Sequence, residues 1–429
     1  MGVVQTTIIT HRIFHSPGGA GGPFRAGRTT QGDYIMTALK LQGQDSQIRQ
    51  DGTLSGQLAA VSAQLAAVSG QLAAVSAQIA QVAAGQELVD RSETGKVRPW
   101  RERKLSNELL SQAYMEVDVS KAARLRECAS WLEFVRYEDG SRRLKSANFC
   151  RVRLCPMCQW RRAVKNSLQV RRVVNAMSAD ISGPKVYWFL LTLTVRNCSG
   201  NELGSTIDQM QDAWKRLVGR QDMRDVLGWY RGLEVTHDVN PIITPEMYRD
   251  RKEYYQAHGL KVGDDNPNYD TYHPHYHVLL ACPDAVMKRP YAESRERWAA
   301  AWQSCLRVDY LPQTDFKRCR GRKTPSGMQD MGDAVAEVAK YACKSSDYVI
   351  PDDWDLTIDT VRILDKALDK RRLIAYGKAC KEWHKRLNLQ DVDSDSADLV
   401  TEDGETGPGE VAAREVYYWY TGYRQYRAL

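Results

Sequence analysis

Between Gln57 and Ala84 the apolar positions follow a strict seven-residue pattern. Leu58, Val61, Leu65, Val68, Leu72, Val75, Ile79 and Val82 recur at alternating spacings of three and four. This is the seam of a coiled coil. The repeating unit QLAAVSA is uncharged, so no salt bridge selects a partner. The stretch (57–90) fits a homo-oligomer of two, three or four strands as well as an isolated Ala-rich helix. Further along, the pattern changes to that of strands. Lys185–Arg196, Trp229–Val239 and Tyr272–Cys282 are rich in β-branched and aromatic residues. Helical periodicity covers Thr206–Leu227, and a polar loop at 264–270 introduces the third strand. From Met331 to Lys344 the helical period returns. Asp333 is a candidate N-cap, and Val335, Val338, Ala339 and Ala342 form one apolar stripe. This order predicts an α+β domain, an antiparallel sheet with helices on one face.

The remaining segments read from composition. Residues 1–56 are rich in Gly, Thr and Gln without a period and are expected to be a disordered extension. Residues 391–412 are an acidic linker, and the aromatic segment 413–429 is expected to dock back as a strand or short helix. No apolar run approaches the ~20 residues of a membrane helix. The N-terminus lacks a signal-peptide layout, which predicts a cytoplasmic protein with no membrane partner.

Charge changes the picture locally. The net charge of +7 is modest, but ten Lys or Arg residues lie between Arg142 and Arg172 with no Asp or Glu among them. Arg151, Arg153, Arg161 and Arg162 belong to that run; Lys317, Arg318 and Arg320 belong to a second cluster. Acid-free basic runs neutralise phosphates, so both are candidate DNA-binding segments.

Three constellations carry candidate chemistry. In His273-Pro274-His275-Tyr276-His277, side chains two apart on a strand share a face, so His275 and His277 present two imidazoles to one divalent ion. Glu234, flanked by the oppositely facing Leu233 and Val235, is the expected third ligand, with His237 as competitor. Two His and one carboxylate suit Mn²⁺ or Mg²⁺, and the same set also serves iron. On the helix at 331–344, Glu337, Tyr341 and Lys344 fall opposite the apolar stripe, one turn apart, where a phenol beside a cation and a carboxylate could act as a nucleophile. Finally, Cys150, Cys155 and Cys158 with the remote Cys128 fit a structural zinc site inside the basic stretch (97–178). The other six cysteines are scattered and read as small hydrophobes.

Taken together, NFCRVRLCPMCQWRR, FLLTLTVRN, LEVTHD, HPHYHVLL and EVAKYACK occur in the order seen in plasmid rolling-circle replication initiators, the single-tyrosine HUH endonucleases, and more narrowly resemble the Rep_1 group. The likeness runs from Cys128 to Lys344 and on through a basic helix over Arg371–Leu387; it does not cover residues 1–95. It implies a ferredoxin-like HUH domain over 180–350, followed by a basic helical region over 351–390. Tyr341 would attack one strand at the double-strand origin, giving a 5′-phosphotyrosyl link and a 3′-OH primer. His275 and His277 would hold the metal. Glu337 would activate water to end the round, and Lys344 would stabilise the phosphate or lower the phenol's pKa.

Origin DNA is then the partner, as duplex and as single-stranded nick site. No GxxxxGK[ST] loop is present, so strand separation is expected of a host helicase, alongside a host single-strand-binding protein and polymerase. A transposase or relaxase with the same chemistry would add a second tyrosine, for which Tyr348 is placed, or a helicase domain. A zinc-dependent DNA-binding regulator without catalysis is the alternative from another class.

Overall fold

The three expected strand segments pair side by side at the centre of one antiparallel sheet. A computed structural model of the chain describes residues 53–92, 95–288, 291–323, 329–330, 335, 338–339, 343–394, 396–401 and 409–428. It divides into two units, residues 1–72 and 73–429. The first contributes the start of helix α1 (Thr53–Ala84), so residues 53–56 are already helical; the rest of the expected N-terminal extension lies outside the described residues. Along α1 the seam residues Val61, Leu65, Val68, Leu72 and Val75 are exposed. Ala59–Ser76 is by length and composition apolar enough to cross a membrane, because its Ala, Leu and Val outweigh the Gln and Ser and it carries no charge.

After α1 come α2 (Trp100–Tyr114), α3 (Val119–Glu127), β1 (Trp131–Tyr137), β2 (Arg142–Ala147) and α4 (Pro156–Ala179). Next are β3 (Tyr187–Thr194), α5 (Leu203–Gly219), β4 (Gly228–Asp238), the short α6 (Pro245–Asp250) and α7 (Lys252–Ala257), and β5 (Thr271–Cys282). Then follow α8 (Asp284–Met287), α9 (Tyr291–Leu306), β6 (Thr314–Arg318), β7 (Arg322–Lys323) and β8 (Gln329–Asp330). The order closes with α10 (Trp354–Leu368), β9 (Ile374–Lys378), α11 (Ala379–Arg386), β10 (Val411–Tyr420) and β11 (Gln425–Ala428).

The first sheet has the order β11-β10-β1-β2. Its partner for β1 comes from the far end of the chain, with Trp131 opposite Tyr418. The aromatic C-terminal segment thus docks as a strand. Tyr426 is fully buried and donates its hydroxyl to the Ala129 carbonyl at 2.7 Å. Behind this sheet Trp100 packs edge-on against Phe134 and Trp160.

The second sheet has the order β6-β3-β5-β4-β9, with β5 between β3 and β4. Its helices lie on both faces, which departs from the one-sided packing expected. Leu191, Leu193, Leu233, Tyr276 and Val278 share a core with Ile207 and Met210 of α5 and Trp302 of α9. On the other face Trp188, Leu190, Tyr230 and Leu279 pack with Val170, Val173 and Val174 of α4, Cys380 of α11, and Val335 and Val338. A strand covered on both sides has no reason to alternate, hence the continuous run FLLTLT in β3. The expected basic helix over Arg371–Leu387 is likewise corrected. Ile374–Lys378 is a strand on the edge of β4, where its Ile and Tyr side chains gain packing that a surface helix would not supply, and only Ala379–Arg386 is helical.

One glycine sets how close the chain near Val338 comes to the sheet. A Cβ built on Gly232 would stand 2.9 Å from the Val338 carbonyl oxygen, a contact with backbone that has no side-chain freedom to yield. We expect Gly232→Ala to cost about 1–3 kcal/mol of stability in urea unfolding, as overpacked core sites do; a change within error would show that this contact is not tight.

Candidate functional site

The register of the second sheet decides which side chains meet. Glu234 stands opposite His275, and Gly232 opposite His277, so the odd positions of β5 and the even positions of β4 face the same side. There the Nε2 atoms of His275 and His277 lie 3.2 Å apart, and Glu234 Oε2 lies 3.4 Å and 3.0 Å from them. All three side chains are buried. Burial opposes ionisation of Glu234, but its bonds to His275 and His277 outweigh this and hold its carboxyl well below the usual carboxylate range. His275 Nδ1 is 3.1 Å from the His273 carbonyl, which only accepts, so Nδ1 donates there and Nε2 is the atom that would bind a cation in place of the proton it shares with Glu234. Two imidazole nitrogens and a carboxylate oxygen converging in a buried spot make a donor set that fits a divalent cation.

The two histidines nearest this set in sequence are engaged differently. His273 is held neutral, its pKa pushed down to about 4 by burial and by the neighbouring His275 and Arg251. His237, the competing ligand, points to the opposite face. Its ring nitrogens lie 2.9 Å from the Asp270 carboxylate and 3.0 Å from the Asp347 carbonyl, and it stacks on Tyr272.

Tyr341 and Glu337 lie outside the described residues. The chain beside them is tied to the face that carries Glu234, His275 and His277 through Val335 and Val338, which pack into the core there, while the buried Cys343 belongs to the core of the other face and its thiol meets the Val235 backbone. Lys344 is exposed. Tyr348 is fully buried and donates to the Leu154 carbonyl at 2.6 Å, and burial pushes its phenol well up, so it is not placed to act as a second nucleophile.

The four cysteines Cys128, Cys150, Cys155 and Cys158 form a second centre. Sulfur–sulfur distances of 3.6 Å (128–158), 3.8 Å (150–158) and 3.5 Å (155–128) are far too long for disulfides. They match the edge of about 3.8 Å that a tetrahedron of ~2.3 Å zinc–sulfur bonds requires. Backbone N–H groups point at the sulfurs: Arg151 at Cys158 (3.2 Å), Cys150 at Cys128 (3.4 Å) and Val152 at Cys150 (3.4 Å). Arg151 takes a left-handed φ of 59° in this turn. Nothing in the sequence marked Lys104 and Asn107, yet both buttress the cluster. The buried Lys104 ammonium donates to the carbonyls of Arg126 and Cys128, and Asn107 Oδ1 lies 3.1 Å from Cys155 Sγ.

The candidate DNA-binding residues divide. Arg151, Lys317, Arg318 and Arg320 are exposed. Arg161 and Arg162 are buried in α4, a departure from the expected phosphate-facing set. Arg161 donates to the Leu399 and Val400 carbonyls, and Arg153 pairs with Asp393 at 2.7 Å. The acidic segment after α11 folds back over this part of the basic run and takes up its donors.

Comparison with known proteins now bears on the site. The replication protein family Rep_1 matches residues 141–427. This chain belongs to that family. Its relatives include a "Protein rep" of Bacillus amyloliquefaciens, 34% identical over 79% of this chain and 96% of that protein. Another is a "Protein rep" of Streptococcus pneumoniae serotype 2, 33% identical over 73% of this chain and 86% of the relative. A "Replication protein" of Staphylococcus aureus is 26% identical over 60% and 95%. No solved structure matches. The Rep_1 match takes in the Glu234–His275–His277 centre and three of the four cysteines, Cys150, Cys155 and Cys158, and it identifies a plasmid replication initiator, for which origin DNA is the partner.

For the cysteine centre we expect Cys158→Ser to lose about one equivalent of bound metal per chain by elemental analysis, since three thiolates no longer close the tetrahedron; unchanged metal content would remove the cluster's assignment. For the other centre, Glu234→Gln should weaken Mn²⁺ binding by about tenfold or more in calorimetric titration, and equal affinity would mean that Glu234 is not a ligand.

Proposed function

We propose that this replication initiator is an HUH endonuclease that nicks one strand of its plasmid origin through Tyr341. The observation that carries the reading is the buried Glu234–His275–His277 set on the sheet face where the chain flanking Tyr341 packs. A five-stranded antiparallel sheet with two of these ligands on its central strand supports the HUH assignment.

In this reading the Tyr341 phenolate oxygen attacks the scissile phosphorus in line. An oxygen–phosphorus bond forms to the 5′ side, the bond to the 3′ oxygen breaks, and that oxygen takes up a proton to become the primer end. A phenol of pKa ~10 needs help to ionise at neutral pH, and Lys344, three residues on, is the cation assigned to that help. Glu337 is assigned to activate water at the end of the round. A divalent ion, Mn²⁺ or Mg²⁺, held by Glu234, His275 and His277 would supply Lewis-acid polarisation of the phosphate oxygens. The cysteine centre is assigned to structural zinc, which holds the turn bearing Arg151 rigid. Strand separation and synthesis are left to host helicase, single-strand-binding protein and polymerase.

The test is supercoiled plasmid carrying the native origin, incubated with the protein and Mn²⁺. We expect relaxed circles and a covalent protein–DNA adduct, both absent with Tyr341→Phe at a loss of at least about a hundredfold, as expected when a covalent nucleophile is removed. Binding without nicking in any divalent metal would favour a zinc-dependent regulator instead, and nicking that survives Tyr341→Phe would move the nucleophile elsewhere.

A further inference from the structure

A groove of about 1090 Å³ opens beside the metal-facing side of the sheet. Its lining includes His273, whose ring stacks 5.3 Å from that of His275, so the groove ends one side chain away from the Glu234–His275–His277 centre. Three segments distant in sequence wall it: the chain just past β3, helices α6 and α7, and the turn before β6. They bring Arg196, Arg249, Arg251, Lys252, Tyr254 and Tyr310 together, against the carboxylates of Asp250 and Glu253. Asp250 is taken by Arg249 at 3.2 Å, and Arg251 reaches Asp238 at 3.1 Å.

Arg196 is different. Its guanidinium lies 4.0 Å from the centre of the Tyr310 ring, and its backbone N–H donates to the Tyr310 hydroxyl at 3.1 Å. Among the described residues no carboxylate pairs with it. It is exposed, and Tyr254 beyond it is exposed as well. Arg196 stands two residues after Thr194, which is the cross-strand neighbour of His275. An unpaired cation stacked on an aromatic ring suits a strand whose bases are free: the ring face takes a base and the guanidinium takes a phosphate. A duplex keeps its base faces stacked inside and offers such a ring nothing but sugar and phosphate.

We propose that this groove holds single-stranded DNA on one side of the scissile phosphate, with Tyr310 stacking on a base and Arg196 paired to the adjoining phosphate. This rests on the nickase reading of the metal centre. None of these residues lies in the two basic clusters, so the groove and those clusters are separate DNA contacts: one for the opened strand, the others for sequence-independent attraction.

The experiment is fluorescence anisotropy with 5′-labelled (dT)20 and, in parallel, a labelled 20-base-pair duplex, using the full-length metal-loaded protein. Tyr310→Ala and Arg196→Ala should each weaken (dT)20 binding about tenfold, the scale of one lost base stack or one lost phosphate contact. Duplex binding should change by less than about twofold. Arg196→Ala should also reduce the slope of log affinity against log salt by about 0.7, the single-strand value for one contact. Tyr310→Phe keeps the ring but loses the hydroxyl that accepts from the Arg196 backbone, so it should restore most of the (dT)20 affinity that Tyr310→Ala loses, which separates stacking from any loss of fold. The proposal is overturned if both alanine variants bind (dT)20 as the parent does, or if duplex binding falls equally. Tyr341→Phe, run alongside, should keep its (dT)20 affinity while losing the nick. A Tyr341→Phe protein that still nicks would sink the nucleophile assignment and leave the oligonucleotide result to decide the groove.

Discussion

Two imidazole nitrogens and a carboxylate oxygen crowded into one buried spot are the constraint from which the rest of the second sheet follows. Without a positive charge between them, a buried carboxylate carries a desolvation cost and two facing lone pairs repel. The fold nevertheless enforces the arrangement. Antiparallel register puts Glu234 directly across from His275, the two-residue strand period adds His277, and the His273 carbonyl fixes the His275 tautomer. Helices on both faces keep the strands dry and straight. A glycine at position 232, opposite His277, leaves room for the Val338 backbone to close over the same face. Each of these would be an extravagance in a sheet that merely filled a core.

The two modules solve the problem of gathering like charges in opposite ways. In the cysteine centre, four sulfurs converge around a position suited to a metal, with the buried Lys104 ammonium bonded to the Cys128 carbonyl. In the basic stretch, part of the excess charge is absorbed by the protein's own acidic segment. Asp393 reaches Arg153, and the carbonyls of Asp398, Leu399 and Val400 take the donors of Lys165 and Arg161. A run of ten cations therefore presents far fewer to solvent than its sequence suggests.

Much of this was legible in the sequence, for identifiable reasons. Strand periodicity puts His275 and His277 on one face and favours Glu234 over His237 as their third partner, the β4–β5 register then bringing Glu234 opposite His275, and the cysteine cluster follows from spacing. The run FLLTLT already carried the mark of a strand covered on both faces, a signal the one-sided expectation passed over. The fate of Arg161 was not readable, because charge in a helix says nothing about whether carbonyls from a segment more than 230 residues away will reach it. Ile374–Lys378 hid as a strand because it is short and leads directly into a helix. The groove was invisible for a related reason: Arg196, Tyr254 and Tyr310 come from three segments, each unremarkable by itself. Loops assemble sites through tertiary contact, which local pattern does not encode.

The first sheet borrows its second strand from the opposite end of the polypeptide. Trp131 pairs with Tyr418, and the Tyr426 hydroxyl reaches the Ala129 carbonyl. On the ribosome, the cysteine module is synthesised early but has only the β1–β2 hairpin to work with until the last strands emerge. An isolated hairpin is marginal in water, so this module completes its fold only once β10 and β11 have been made, while the second sheet, whose strands all lie between, is able to form sooner. A chain cut short before β10 would keep the sheet that carries Glu234, His275 and His277 and lack a finished cysteine module. The topology thereby makes arrival of β10 and β11 the step on which completion of the cysteine module waits.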